Sequence, residues 1–271
     1  MSQPLTDALP EVAARLRTAP HLVVCTDFDG TLVPLAADRS TVTLPAAARS
    51  ALAGLAAAPG VTVVVVSGRS LDDLAARVGV PGVVLAGNHG LELRGPDWAH
   101  VEPAVEETRP AVANLAANLA RPLEGIAGAD VEDKGLSVAV HYRGADPADH
   151  EAVRSAVHGV LAASSHPFVL ATGPLVFDIR PRVYWDKAAA VNRGRAQVGH
   201  PDATVVYIAA DGTAEEAFAA FPDGVTVRVG PGPESSAKWT ADGPDEVVEF
   251  LRWIASLRIG GEPAAYAAGS P

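Results

Sequence analysis

The chain has 271 residues, 48% of them hydrophobic, enough for one large core or for a core with a smaller lobe. Lys and Arg number 21 against 32 Asp and Glu, a formal net charge of −11. Such a balance excludes nucleic acid and anionic membrane as partners unless a local basic patch overrides it, and no Lys/Arg cluster occurs.

A small anion is not excluded by that charge, because a few donors and a metal can dominate one site. Cys25 is the single cysteine, so no internal disulfide can form, which fits a reducing compartment. The opening Met-Ser-Gln-Pro-Leu-Thr-Asp has no basic segment followed by an apolar one, so no signal peptide is expected. No apolar run approaches the roughly 20 residues of a membrane helix. The expectation is a soluble, cytoplasmic monomer.

Short apolar runs alternate with helical patterns. His21–Cys25 predicts a buried strand followed at once by Thr-Asp-Phe-Asp-Gly, and residues 45–58 a helix. Val61–Val66 predicts a second strand, ending in Ser67-Gly68-Arg69, with a helix over 70–78. Val83–Ala86 is a third, running into Gly87-Asn-His-Gly-Leu-Glu-Leu93. Strands apolar throughout and joined by helices imply a parallel sheet covered on both faces.

The middle of the chain has another texture. Residues 104–120 predict a helix, and Leu136–Tyr142 alternates with a period of two, as a sheet with one wet face would. A helix follows over 149–163, with Val153, Ala156, Val157, Val160 and Leu161 on one face. Phe168–Leu170 and Leu175–Ile179 flank Ala171-Thr-Gly-Pro174 as a hairpin. The first texture then resumes with a helix over 187–198, a strand over 203–208, a helix over 214–221, a strand over 225–229 and an amphipathic helix over 245–257. The expected organisation is a discontinuous core (1–103 and 182–257) that hosts an α+β insert (104–181). The Gly-, Ala-, Pro- and Ser-rich tail, 258–271, is expected to be flexible.

In a parallel α/β sheet, ligands collect beyond the carboxyl ends of the strands. Asp27 and Asp29 follow the first strand, Ser67 the second and Asp211 the fourth core strand, while Lys187 opens a helix. Phosphate-ester hydrolysis needs this set. Asp27 can attack phosphorus and split a hard step into two. Mg²⁺ can bridge Asp27 and the phosphate to cancel their repulsion, with Lys187 a second cation and Ser67 a neutral donor. Asp29, two residues on, suits a general acid for the leaving alkoxide and then a base for water. Gly30 permits the tight turn, and Thr31 can offer a hydroxyl or an amide.

Asp27-Phe-Asp-Gly-Thr-Leu32, Ser67-Gly-Arg69 and Lys187 resemble the first three motifs of the haloacid dehalogenase superfamily. Gly87-Asn-His-Gly-Leu-Glu92, the run 132–143 and the run 177–187 resemble segments of its trehalose-6-phosphate phosphatase family, over roughly residues 20–255. The resemblance implies a Rossmann-like core with an inserted cap, and hydrolysis of trehalose 6-phosphate through an aspartyl-phosphate on Asp27. It implies Mg²⁺ held by Asp27, Asp29 and Asp211. A phosphorylated disaccharide would meet Thr31, Gly68, Arg69, His89 and Glu92 of the core and Lys134, Ser137, Asp178 and Arg180 of the cap.

The fourth motif departs from the family. Where the family reads Gly-Asp-Asp, one residue, Thr-Asp-Glu, this chain has Ala209-Ala210-Asp211-Gly212-Thr213-Ala214-Glu215. Ala210 stands at the usual metal-binding aspartate and Asp211 falls one position later, with Glu215 or Glu216 left to help through water. Two other readings therefore stand beside the first: a phosphatase for a related phosphorylated disaccharide or cyclitol analogue, and a sugar-phosphate binding or regulatory protein without catalysis.

Overall fold

The computed structural model describes residues 2–36, 39–183, 185–210, 212–232 and 234–260, less the side chain of Thr213. In chain order the first elements are β1 (Gln3–Pro4), α1 (Leu5–Thr18), β2 (Leu22–Asp27), α2 (Ala46–Ala56), β3 (Val61–Val66) and α3 (Leu71–Val78). Next come β4 (Val84–Gly87), a single turn Asn88–Gly90, β5 (Glu92–Arg94), β6 (Ala99–Val101), α4 (Pro103–Glu106) and α5 (Arg109–Leu123). The chain continues with β7 (Asp130–Asp133), β8 (Val138–His141), α6 (His150–Ala163), β9 (Phe168–Gly173) and β10 (Val176–Pro181). It closes with α7 (Lys187–Gln197), β11 (Thr204–Ala209), α8 (Glu215–Ala220), β12 (Val225–Val229), β13 (Trp239–Ala241) and α9 (Pro244–Ile259).

Two compact units result, one from residues 1–100 with 185–271 and one from 101–184. In the first, the strand order is β1-β13-β12-β11-β2-β3-β4-β5-β6. The pairs from β1 through β4 are parallel, and β5 runs antiparallel to β4. Every residue of β2 is buried, so its side chains serve two cores by alternation. Leu22 and Val24 face a core built with α1, α2, α3 and α9. Val23 and Cys25 face a second, with α7 and α8. The expected α/β architecture with a parallel central sheet is the one found.

In the second unit, β7-β8-β10-β9 form an antiparallel sheet. Val138, Val140, Phe177 and Ile179 pack with α5 and α6 in one core. The expected single helix over 104–120 is two, α4 and α5. Pro110 has no N–H to give the carbonyl of Glu106 and its ring crowds that carbonyl, so the helix stops and restarts. The expected tail lies almost wholly outside the described residues. No helix among the described residues is long and apolar enough to cross a membrane.

Candidate active site

Asp27 is the last residue of β2, level with Val66 at the end of β3, so it stands at the carboxyl edge of the sheet. The chain then folds back on itself. The carbonyl of Phe28 accepts from the amides of Leu32 (3.0 Å) and Val33 (3.2 Å), and the amide of Gly30 donates to Val33 (2.8 Å). Gly30 has φ +79°, and a Cβ there would lie 3.1 Å from the Cβ of Ala210. The turn therefore requires glycine, and residue 210 aims its side chain at the loop.

Asp27 is 3% exposed. Lys187 Nζ, equally enclosed, donates to Oδ2 at 2.7 Å, and the Tyr207 hydroxyl donates to Oδ1 at 3.3 Å. Lys187 is the first residue of α7, and the Asp186 side chain caps that helix by accepting from the amide of Ala189 at 2.7 Å. A buried pair of this kind holds each charge in place, because removing one partner strands the other at a cost of about 3–5 kcal/mol. Burial, and next the charge of Asp27, push the Cys25 thiol well up, so this cysteine stays a protonated core residue.

Ser67 lies beyond β3, and its Oγ accepts from the amide of Arg69 at 3.1 Å. The turn after β4 is laced to the same segment, with the amide of Asn88 on the carbonyl of Arg69 (2.7 Å) and that of His89 on the carbonyl of Ser67 (2.8 Å). Asn88 and His89 both take the left-handed backbone conformation, φ 49° and 60°, which is strained for non-glycine residues. The His89 ring covers Gly68 so closely that a Cβ there would meet it at 2.6 Å. Glu92 Oε1 accepts from the Asn88 side chain (2.7 Å) and the amide of Leu71 (3.0 Å). Glu92 thus braces the turn and the start of α3, a structural task that the sequence reading does not give it.

Asp29 and Arg69 meet directly. Nε and Nη2 of Arg69 each donate to one Asp29 oxygen at 2.8 Å, and Nη1 donates to Asp73 at 2.8 Å. Thr31 is buried, and its hydroxyl has no hydrogen-bond partner among the described residues. In the second unit, Ser137, Ala139 and His141 share one sheet face with Glu132, Asp178 and Arg180 by register, opposite the apolar core. Lys134 Nζ donates to Asp178 at 3.1 Å, and Glu132 pairs with His141 at 2.8 Å.

A family model described as Trehalose-phosphatase matches residues 25–245. The chain belongs to the trehalose-phosphatase family. A trehalose-phosphate phosphatase of Mycobacterium avium is 35% identical over 274 residues, 96% of this chain and 68% of that protein. An uncharacterized glycosyl hydrolase of Mycobacterium tuberculosis is 37% identical over 252 residues, 89% of this chain but 19% of the relative, so the chain spans about a fifth of that protein's length. The solved C-terminal domain of a C. albicans trehalose-6-phosphate phosphatase shares the fold, with a TM-score of 0.77 at 20% identity, over 95% of this chain and 99% of that one. The fold is haloacid dehalogenase-like.

For a member of the trehalose-phosphatase family, the metal position is thinly furnished. Superfamily phosphatases generally use Mg²⁺, yet no three His, Cys, Asp or Glu side chains among the described residues stand together to hold a metal ion. The Asp29 carboxylate is bound to Arg69, and position 210, against Gly30, carries only a methyl group. Glu215 accepts from the Ser235 hydroxyl and the Ser236 amide, both at 2.7 Å. Asp211 lies outside the described residues. Asp27 is held by Lys187 and Tyr207 and Asp29 by Arg69, and by themselves these described side chains do not fit a magnesium site.

Tyr207 is the residue that the sequence reading misses. Its signal is a lone polar handle in an aliphatic buried strand, where a phenol needs a partner.

Proposed function

We propose that this chain hydrolyses trehalose 6-phosphate to trehalose and phosphate, with Asp27 as the nucleophile. The observation that carries the reading is the buried Asp27 carboxylate at the carboxyl edge of β2, gripped by Lys187 at 2.7 Å and Tyr207 at 3.3 Å. An oxygen of Asp27 attacks phosphorus, and Lys187 offsets the charge on the transferred group. Tyr207 and Lys187 fix the carboxylate so that its attack needs little reorganisation. Ser67 stands beside the phosphoryl oxygens as a neutral donor. Both oxygens of Asp29 accept from Arg69, so Asp29 has to leave that pair and take up a proton before it can protonate the leaving sugar oxygen, after which it takes one from the water that opens the acyl phosphate.

The polar sheet face of the second unit, with Lys134, Ser137, Asp178 and Arg180, is the proposed sugar-reading surface of a cap. His89 and Gly68 are the proposed contacts of the core with the phosphorylated end. The protein is proposed to act as a cytoplasmic monomer on this small solute.

One observation favours a second reading, sugar-phosphate binding without turnover: the alanine at 210, packed on the nucleophile loop. Phosphate release from trehalose 6-phosphate and glucose 6-phosphate, with and without Mg²⁺, separates the two. Release above an Asp27→Asn control supports hydrolysis. Binding of trehalose 6-phosphate by calorimetry, with no release under any condition, supports the second reading.

A further inference from the structure

The turn Asn88–Gly90 is wedged between two pieces of chain, one carrying Ser67 and the other Lys187. On the first side, the amide of Asn88 donates to the carbonyl of Arg69 at 2.7 Å and that of His89 to the carbonyl of Ser67 at 2.8 Å. Two glycines let the backbones touch. A Cβ on Gly87 would meet the amide nitrogen of Leu71 at 2.6 Å, and one on Gly68 would meet the His89 ring at 2.6 Å. On the second side the turn meets α7, whose first residue is Lys187. The carbonyl of Gly90 accepts from Trp185 Nε1 at 2.8 Å, and a Cβ on Gly90 would run into that of Ala190.

The wedge keeps its shape against its own backbone. Asn88 and His89 stand at φ 49° and 60°, a conformation that a non-glycine residue keeps only where its surroundings impose it. Asn88 is fully buried, and its side-chain amide donates to Glu92 Oε1 at 2.7 Å. The same oxygen accepts from the amide of Leu71, the first residue of α3, at 3.0 Å. One carboxylate oxygen therefore ties the strained turn to the segment it presses on.

We propose that Glu92 is a positioning residue for Ser67 and Lys187, acting through the turn Asn88–Gly90, and that it does not contact the sugar. The proposal rests on the phosphatase reading, which puts Ser67 and Lys187 at the phosphoryl group. A turn released from Glu92 relaxes towards ordinary backbone angles and no longer holds the Ser67 segment and α7 at their present spacing. Groups that must meet phosphate oxygens at hydrogen-bond distance tolerate little of such movement. The sugar is not involved, so phosphate monoesters with different leaving groups should be affected alike.

The test compares Glu92→Ala, Glu92→Gln and Asn88→Gly with the wild-type chain on trehalose 6-phosphate and p-nitrophenyl phosphate, beside calorimetry of inorganic phosphate. All measurements are made below the melting temperature of the least stable variant. Glu92→Ala should raise KM for both esters, and Kd for phosphate, by about tenfold, with kcat changed by less than about threefold. Glu92→Gln keeps an acceptor for Asn88 and Leu71 and should recover most of that loss. Asn88→Gly takes the left-handed angle without strain but lacks the amide that Glu92 holds. It should show the same pattern more weakly, and it decides the matter where Glu92→Ala does not fold. A loss on trehalose 6-phosphate alone would make Glu92 a sugar contact and overturn the proposal. So would an equal loss in Glu92→Gln, which would make the charge the working part, or unmoved constants in folded variants. If the wild-type chain hydrolyses neither ester, the phosphatase reading falls, and phosphate affinity by itself decides this proposal. A wild-type chain that binds no phosphate overturns it.

Discussion

Tyr207 reaches Asp27 from the neighbouring strand, its hydroxyl 3.3 Å from Oδ1, while Lys187 occupies Oδ2. β11 pairs with β2 so that Ile208 stands level with Thr26, which brings the side chain of residue 207 beneath Asp27. Tyr207→Phe keeps the ring packed against Phe218 and Phe221 and removes only the donor. The expected loss of stability is about 1 kcal/mol. Turnover should fall by about three- to tenfold, since the lost donor orients the attacking carboxylate without carrying the reaction. Steady-state kinetics beside a thermal melt check both numbers; an unchanged kcat would make the contact merely structural.

Ala210→Asp should create a carboxylate against the loop that follows Asp27, because the Cβ of residue 210 already lies close to Gly30. Added to Asp27, a second carboxylate should tighten Mg²⁺ binding by about tenfold or more. Calorimetry of Mg²⁺ with the wild-type and variant chains, in the presence of inorganic phosphate, reads this without reference to turnover. Equal affinities would mean that the side chain of residue 210 does not reach the ion.

The two cores of the first unit are legible in the sequence because the strands that make them are dominated by Val and other apolar residues. The expected spans Val61–Val66 and Val225–Val229 are the observed β3 and β12. α1 goes unread although Leu5, Val12 and Leu16 are buried along it at helical spacing, because Pro10 falls within the pattern and masks it. The strands β1, β5, β6 and β13 are two or three residues long, too short for any period to declare itself. Within the site, Asp27 and its loop are readable because their chemistry is local. The Arg69–Asp29 pair joins residues 40 positions apart, and depends on the alignment of β2 with β3. Glu92 reads as a sugar contact from its motif, but only the fold reveals the amide of Leu71 waiting for its oxygen.

In the second unit, Lys134 has a fully buried side chain whose ammonium meets Asp178, itself 17% exposed. Asp178→Asn removes the carboxylate that Lys134 Nζ meets at 3.1 Å. The expected cost is about 3–5 kcal/mol, read as a lower melting temperature. If the same face reads the sugar, KM for trehalose 6-phosphate should rise while KM for p-nitrophenyl phosphate stays put. A variant as stable as the wild type would remove the structural half of this account.

At the opposite end of β2 the His21 and His200 rings stack, with centroids 3.7 Å apart. Burial, and then the charges of His200 and Arg258, lower the His21 pKa below its ordinary 6.5. The folded chain therefore binds this proton less readily than the unfolded one. The contribution of His21 to stability is complete above about pH 6.5 and is lost as the pH falls towards the folded-state pKa. His21→Gln should flatten the decline in melting temperature below pH 6.5 relative to the wild type, and parallel curves would contradict the assignment.

The central claim is that Asp27 takes the phosphoryl group. The direct measurement is acid quenching of the wild-type chain during turnover of trehalose 6-phosphate, followed by mass spectrometry of the peptide that contains Asp27. The account predicts that this peptide gains the mass of one phosphoryl group, that the gain is absent in Asp27→Asn, and that the variant releases no phosphate. Phosphate release by Asp27→Asn at the wild-type rate would contradict it.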